Sequence, residues 1–371
     1  MVIWKLRNYT CLEDLEGLSE AWLALHQSSV RPDISLSPDW IISWYKAFGT
    51  RLKPHVIGVF KDEELVLVAP MHSSMQSFRL TSLVALQSSA NGYSPSGGVV
   101  TSTQISKTDL RTAFALLHEE NNFELYRFYK LPEEEAASVC SMVSDSNLLH
   151  SGMEAVMSTP MIDLRGDWES YLETRSRSLR KSMRRKLKRI SHQSKIELEV
   201  GVPQGSDAPI LEEIFRISAK SWKQLEGSDL ESDDVARKFI CELVDRFCRA
   251  GEVKVWLLKV DGLAIAYELH FQSGGTVFPI RADFDLDFAE LSPGQVLLQL
   301  VVESLFKDKS TQLYDSCADD YDYLKSWAHY STDFYTVDAF STKLKPSLVY
   351  LAKYRVLPAY RRFKERFSYA A

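Results

Sequence analysis

Val255-Trp-Leu-Leu-Lys-Val-Asp-Gly-Leu-Ala-Ile-Ala266 reads as two apolar strands about the turn Asp261-Gly262, with strands predicted over Val253–Val260 and Leu263–Phe271. A third strand is predicted over Gly275–Asp283. Ser292-Pro-Gly294 then opens an apolar helix, Gln295–Phe306, which leads to a short strand at Gln312–Asp315, and upstream a helix is predicted over Ser232–Arg249. This succession makes a mixed α/β unit. The first half follows the same order. Leu12, Leu15, Leu18, Trp22 and Leu25 form one helical stripe, and a second helix runs from Pro38, capped by Ser37, to Gly49. A hairpin, His55–Phe60 and Leu65–Ala69, is followed by a helix at Leu110–Glu119, a strand at Phe123–Tyr129 and a helix from Pro132. The two hairpins superimpose at an offset of 199, pairing Asp62 with Asp261 and Val56 with Val255. The chain is therefore expected to repeat one topology.

With 371 residues, 45% apolar and 25% charged, the chain has the composition of a globular protein of two domains, each able to bury a core without metals or disulfides. The net charge of −6 excludes a general attraction to polyanions, so binding to nucleic acid or anionic lipid would need a local patch. The five cysteines are odd in number and contain no C-x-x-C pair, which fits a reducing cytoplasm. The eight histidines show no metal-ligand spacing, so no metal is expected. The apolar run Val296–Val302 falls far short of the roughly 20 residues of a membrane span. No transmembrane segment or secretory signal is expected.

Two segments lie outside the repeat. Arg175 to Arg189 holds nine cations on a predicted helix (168–191 with its lead-in) whose narrow apolar edge is Leu172, Leu179, Met183, Leu187 and Ile190. It reads as a solvated bridge between domains, or as a surface for an anionic ligand or tRNA. The tail, Pro346–Phe367, combines Leu348, Leu351, Tyr354, Val356, Tyr360, Phe363 and Phe367 with cations, seven of them between Lys345 and Arg366. It reads as a basic amphipathic helix able to touch a membrane surface.

Walker, dinucleotide-binding, zincin and nucleophile-elbow motifs are all absent, which removes support for the corresponding chemistries. Ser292, Pro293, Gly294 and Gln295 place free backbone amides at a helix start, where a phosphate could bind. The same residues also read as a plain loop with Ser292 as N-cap. Asp315 ends a strand and could take a proton or orient an amine; Lys325 could bind an anion or steady an oxyanion, or simply pair with a neighbouring Asp. Arg281 and Asp283 share one side of a strand, either as a substrate contact and base or as a surface ion pair. Tyr323 is a further candidate to touch substrate.

The basic helix from Ser176, the 255–266 strand pair, Ser292-Pro-Gly294, and Tyr314-Asp315 followed by Tyr323-Leu-Lys325-Ser-Trp327 together resemble the tandem GNAT-fold acyltransferases of the cellulose-biosynthesis acetyltransferase type, relatives of the FemABX peptidyltransferases. The resemblance covers about Asp163 to Tyr335. A fainter likeness over Ser37–Trp40, the first hairpin and Asn91-Gly-Tyr93 makes the first half a degenerate copy. It implies an α/β fold of two tandem GNAT-like domains, 1–160 and 161–345, followed by the 346–371 helix. The implied activity is acyl transfer from acyl-CoA to an amine or hydroxyl of a small-molecule, sugar or lipid-linked acceptor in envelope or exopolysaccharide synthesis. On that basis Ser292 to Gln295 bind the donor's pyrophosphate, while Asp315 and Lys325 line the site; Asp283 as base follows from strand geometry alone. Two departures are evident: only Gly294 remains of the usual glycine-rich loop, and Ser316-Cys317-Ala318-Asp319 replace the glycines expected after Asp315. The alternatives are an aminoacyl-tRNA donor, as in FemABX relatives, and a non-catalytic scaffold docking through its tail.

Overall fold

The computed structural model describes residues 2–49, 52–79, 81–145 and 149–360. The first half runs β1 (Trp4–Tyr9), α1 (Leu12–Gln27), α2 (Pro38–Phe48), β2 (Lys53–Pro54), β3 (Val56–Lys61), β4 (Glu64–Ala69), β5 (Met71–Phe78), β6 (Thr81–Ser88), β7 (Val100–Thr101), α3 (Lys107–Asn121), β8 (Leu125–Pro132), α4 (Glu133–Asp145) and β9 (Leu149–Asp163). The second runs α5 (Trp168–Thr174), α6 (Arg177–Gln193), β10 (Ile196–Gly201), α7 (Pro209–Ala219), α8 (Asp234–Phe247), β11 (Val253–Val260), β12 (Leu263–Ser273), β13 (Thr276–Phe284), α9 (Pro293–Lys307), β14 (Leu313–Asp315), α10 (Asp322–Lys325), β15 (Tyr330–Ser341) and α11 (Leu344–Leu351).

The local signals act where expected. Pro38 fits the first turn of α2 because its missing N–H needs no partner there, and the Ser37 hydroxyl accepts from the Trp40 amide at 3.3 Å. Asp261 and Gly262 take the left-handed angles of the β11–β12 turn, φ 51° and 85°. The predicted basic helix 168–191 is two helices. Arg175 breaks them apart, and its guanidinium donates to the Trp327 and Ala328 carbonyls.

The repeat is present as topology. Helices α1, α2 and α3 with strands β3, β4, β8 and β9 of the first half match α7, α8, α9, β11, β12, β14 and β15 of the second in order. Strands β1-β3-β4-β7 form one sheet, and an eleven-stranded sheet runs β10-β11-β12-β13-β14-β9-β15-β8-β6-β5-β2. Its centre is an exchange. Strand β9 pairs with β14 of the second half, β15 pairs with β8 of the first, and β9 and β15 pair with each other from Leu149–Ser341 to Met161–Tyr330. The predicted boundary at 160/161 falls inside β9.

One core spans both halves. Trp40 of α2 meets Phe239 of α8 edge to face, with ring centroids 5.4 Å apart, and Phe271 of β12 at 6.2 Å. Burying aromatic rings on both sides of this contact ties the halves by the strongest non-directional force available. Helix α11 covers β9 and β15; the predicted tail beyond Tyr360 lies outside the described residues. Among the described residues, no helix is long and apolar enough to cross a membrane.

Candidate active site

Strands β13 and β14 run parallel but pair only at Thr276–Leu313 and Val277–Tyr314. Beyond Val277 β13 continues to Phe284, whereas β14 ends at Asp315, so the strands part and leave room between them. A cavity of about 1010 Å³ opens there, lined from the second half by Glu268, Arg281, Asp283, Ser292, Gly294, Gln295, Cys317 and Tyr323, and from the first by Gly92, Tyr129, Lys130 and Met157.

Helix α9 begins at this cavity. Ser292 stands at the cap position in a left-handed conformation (φ 56°, ψ 49°), and its hydroxyl makes no capping bond, contrary to the plain N-cap reading. Among the described residues no side chain caps the first turn of α9. The positive end of the helix dipole therefore faces a groove. Ser292, Gly294 and Gln295 line it, and Pro293 is buried behind them. A Cβ on Gly294 would meet only Phe284, at 3.5 Å, so the position is open on its other sides. Gln295 accepts a hydrogen bond from Lys186, which joins α6 to this loop.

Backbone strain collects here. Among the described residues seven non-glycine residues have positive φ; Asp62, Glu63 and Asp261 are in hairpin turns and Asn122 ends α3. The other three, Lys130 (59°), Ser292 (56°) and Cys317 (53°), all line the cavity. Side chains in this region cost energy that surrounding structure must offset, and such residues gather at functional sites.

Arg281 and Asp283 are together but not on the surface. Asp283 is buried, accepts from Arg281 (2.9 Å), Tyr267 (2.7 Å) and Ser218 (3.1 Å), and pairs with Lys223 at 2.6 Å. That replaces the surface-pair expectation with a buried network, in which each Asp283 oxygen already has a cationic partner. Burial holds the Lys223 ammonium below its ordinary value, opposed by the Asp283 charge. Asp315 is fully enclosed; burial pushes its pKa up to about 6, against the Cys317 amide that donates to it at 2.8 Å. Cys317 adopts its left-handed φ within that hydrogen-bonded turn. Lys325 is half exposed, pairs with Asp320 at 2.6 Å and is not among the cavity-lining residues. Tyr323 lines the cavity and stacks on Tyr321.

Glu268 and Lys130 are among the lining residues that the sequence analysis did not single out. Glu268 lies inside the apolar strand β12, and its carboxylate accepts from His270 Nε2 at 2.7 Å and the Tyr314 hydroxyl at 3.3 Å. Since a carboxylate only accepts, His270 carries its proton on Nε2. Trp256 and Tyr314 hold the imidazole ring at 5.8 and 5.9 Å. The signal was legible: a Glu and a His two apart in a buried strand share a face and must satisfy each other. Lys130, near the end of β8, is buried and donates to the Ser94 carbonyl at 2.8 Å; burial holds its pKa down. No local pattern marks it.

Residues 177–325, less than half of the chain, match the family described as Acetyltransferase (GNAT) domain. The second half carries a GNAT domain. Among solved structures, the chain superposes on FemX with a TM-score of 0.59 at 11% identity, covering 94% of this chain and 99% of that one. A conserved protein of unknown function from Bacteroides thetaiotaomicron gives 0.56 at 11% identity, covering 92% and 100%. The L-PGS of Bacillus licheniformis gives 0.53 at 10%, covering 90% and 94%. At these identities the likeness is one of fold, and it extends over both halves. No curated protein matches the chain. The strand-parted cavity lies within the GNAT domain, with the first half supplying part of its wall.

Proposed function

We propose that the chain is an acyltransferase that moves an acyl group from acyl-CoA to an amine or hydroxyl of an acceptor held between the two halves. The observation that carries this reading is the uncapped start of α9 opening onto the gap between β13 and β14. The Gly294 amide, the one N–H of the first turn not turned back onto the Ser292 carbonyl, and the helix dipole there suit a phosphate, and the gap suits an extended thioester arm. Glu268 is the base in this reading. It takes the acceptor's proton as nitrogen or oxygen attacks the thioester carbonyl, the C–S bond breaks, and the proton passes to the departing thiolate. His270 and Tyr314 hold Glu268 in place, and Asp283 anchors Arg281 and Lys223 in the wall. Lys130, held by the Ser94 carbonyl, forms part of the cavity wall from the first half. The acceptor class is the one the resemblance implies, a sugar, lipid-linked or amino compound.

The test is thermal unfolding with acetyl-CoA, longer acyl-CoAs and free CoA. A ligand at 100 times its dissociation constant adds about 2.7 kcal/mol of stability. Absence of any shift with every one of them overturns the reading.

A second reading, an aminoacyl-tRNA donor, is favoured by α6. Arg177, Lys181, Arg184, Arg185, Lys188 and Arg189 are exposed and make no ion pair among the described residues, while Lys186 joins the same helix to Gln295. It requires RNA affinity that falls steeply with salt, by about one power of salt concentration per phosphate contact.

A further inference from the structure

Helix α11 continues through a π turn at Ala352–Val356 and on to Tyr360. One side is fixed to the body. Val349 packs with Leu83 and Phe340, and Lys353 and the Tyr354 hydroxyl both bond the buried Asp338 at 3.0 Å. The Tyr354 ring lies so close to Gly152 that a Cβ there would stand 2.5 Å from it.

The other side is apolar and bare. Leu344, Leu348, Leu351, Val356 and Tyr360 are 78, 57, 46, 60 and 62% exposed. In a regular helix each four-residue step drifts by about 40°, so residues this far apart would wind off one face. The wider π turn takes up one extra residue and brings Val356 and Tyr360 back into line with the three leucines. Charge completes the pattern: Lys343, Lys345 and Lys353 are engaged by Asn122, Glu124, Glu154 and Asp338, but Arg355 makes no ion pair among the described residues, and the sequence adds Arg361, Arg362, Lys364 and Arg366 against the single carboxylate Glu365. A second copy is a poor occupant, because two-fold pairing would set these cations against themselves.

We propose that this stripe docks the protein on an anionic lipid bilayer, the apolar side chains entering the headgroup boundary and the flanking cations meeting acidic headgroups. The proposal is independent of the reaction assigned above. The body-facing bonds of Lys353 and Tyr354 mean that the helix is presented ready-made and rigidly oriented.

The full chain is sedimented with vesicles of phosphatidylcholine alone and with 30% phosphatidylglycerol, at low salt and at high salt. Partitioning is expected to be at least about tenfold stronger on the anionic vesicles and to weaken as salt rises. Leu348→Glu with Val356→Glu should lower it at least about tenfold, with an unchanged melting temperature showing that the fold is intact. Arg355→Glu should lower it about fivefold or more. Absence of sedimentation with either vesicle overturns the proposal, as does equal binding to both, or full retention by the double glutamate variant. So does a concentration-dependent dimer in light scattering that the double variant abolishes.

Discussion

Helices α3 and α9 hold equivalent places in the two halves, yet they begin in opposite ways. Ser106 and Asp109 close α3 with a reciprocal capping box, the Ser106 hydroxyl accepting from the Asp109 amide at 3.1 Å and the Asp109 carboxylate from the Ser106 amide at 3.0 Å. Helix α9 has no such box. The loop before α3 is also drawn inward: Ser94, Ser96 and Gly97 are buried, and Gly97 donates to the Lys130 carbonyl of β8 at 3.0 Å. A Cβ at Gly97 would stand 2.1 Å from the Tyr129 carbonyl oxygen, so the loop is pressed against the strand. In the first half side chains close the helix start and the loop packs onto the strand next to it; in the second the Gln295 and Val296 amides turn back onto the Ser292 carbonyl, no side chain caps the helix among the described residues, and the start faces a cavity. The same helix start is thus closed in one half and open onto a cavity in the other, and the closed half contributes Gly92, Tyr129, Lys130 and Met157 to that cavity's wall.

Four substitutions test that contrast. Glu268→Gln keeps the hydrogen-bonding shape and should lower kcat by about 10²–10⁴-fold while leaving donor binding intact, since the base acts only on the reacting proton. A rate within a few fold of wild type, measured by thiol release, removes Glu268 from the chemistry. Gly294→Trp should fill the mouth of α9 and erase the acyl-CoA thermal shift, a loss of about 2.7 kcal/mol at saturating ligand. If the shift survives, the donor lies elsewhere.

Asp315→Asn probes the wall between the halves. The folded carboxyl titrates near 6, above the roughly 3.9 of an unfolded aspartate. Its contribution to stability is therefore present below about pH 4 and lost as pH rises through about 6. Relative to wild type, the Asn variant should gain about 1–3 kcal/mol above pH 7 and nothing at pH 4, read by denaturant unfolding across that range. A pH-independent difference would show that Asp315 stays charged. Ser106→Ala should cost about 1 kcal/mol of stability by removing the cap of α3. It should leave turnover and the acyl-CoA shift unchanged; an effect on either would give the first half its own donor site.

The hairpins, the Pro38 helix and the Ser292-Pro-Gly294 helix start were legible because each is written in neighbouring residues: an alternation, a proline in a first turn, a turn dipeptide. Strands β5, β6, β9 and β15 were not. The long pair β9 and β15 carries polar residues on much of its length, and its pairing joins residues as far apart as Leu149 and Ser341, which no local period records. In the site, the loop at the start of α9 was visible in sequence and Glu268 could have been found from its pairing with His270 two residues on, whereas Lys130 was hidden by a left-handed backbone that only tertiary contacts impose. Asp283 shows the converse: its strand position was read correctly, but not the three elements, bearing Ser218, Lys223 and Tyr267, that converge on it.

The exchange of β9 and β15 has a consequence for synthesis. While the ribosome is still making the second half, β8 and β9 are complete but lack the strand that will lie between them. At about 5–20 residues per second, the nearly two hundred residues from β9 to the end of β15 take on the order of 10–40 s to appear. Through that interval two open edges face solvent or a chaperone, and release from the ribosome before Ser341 emerges leaves a fragment with no partner to close its sheet.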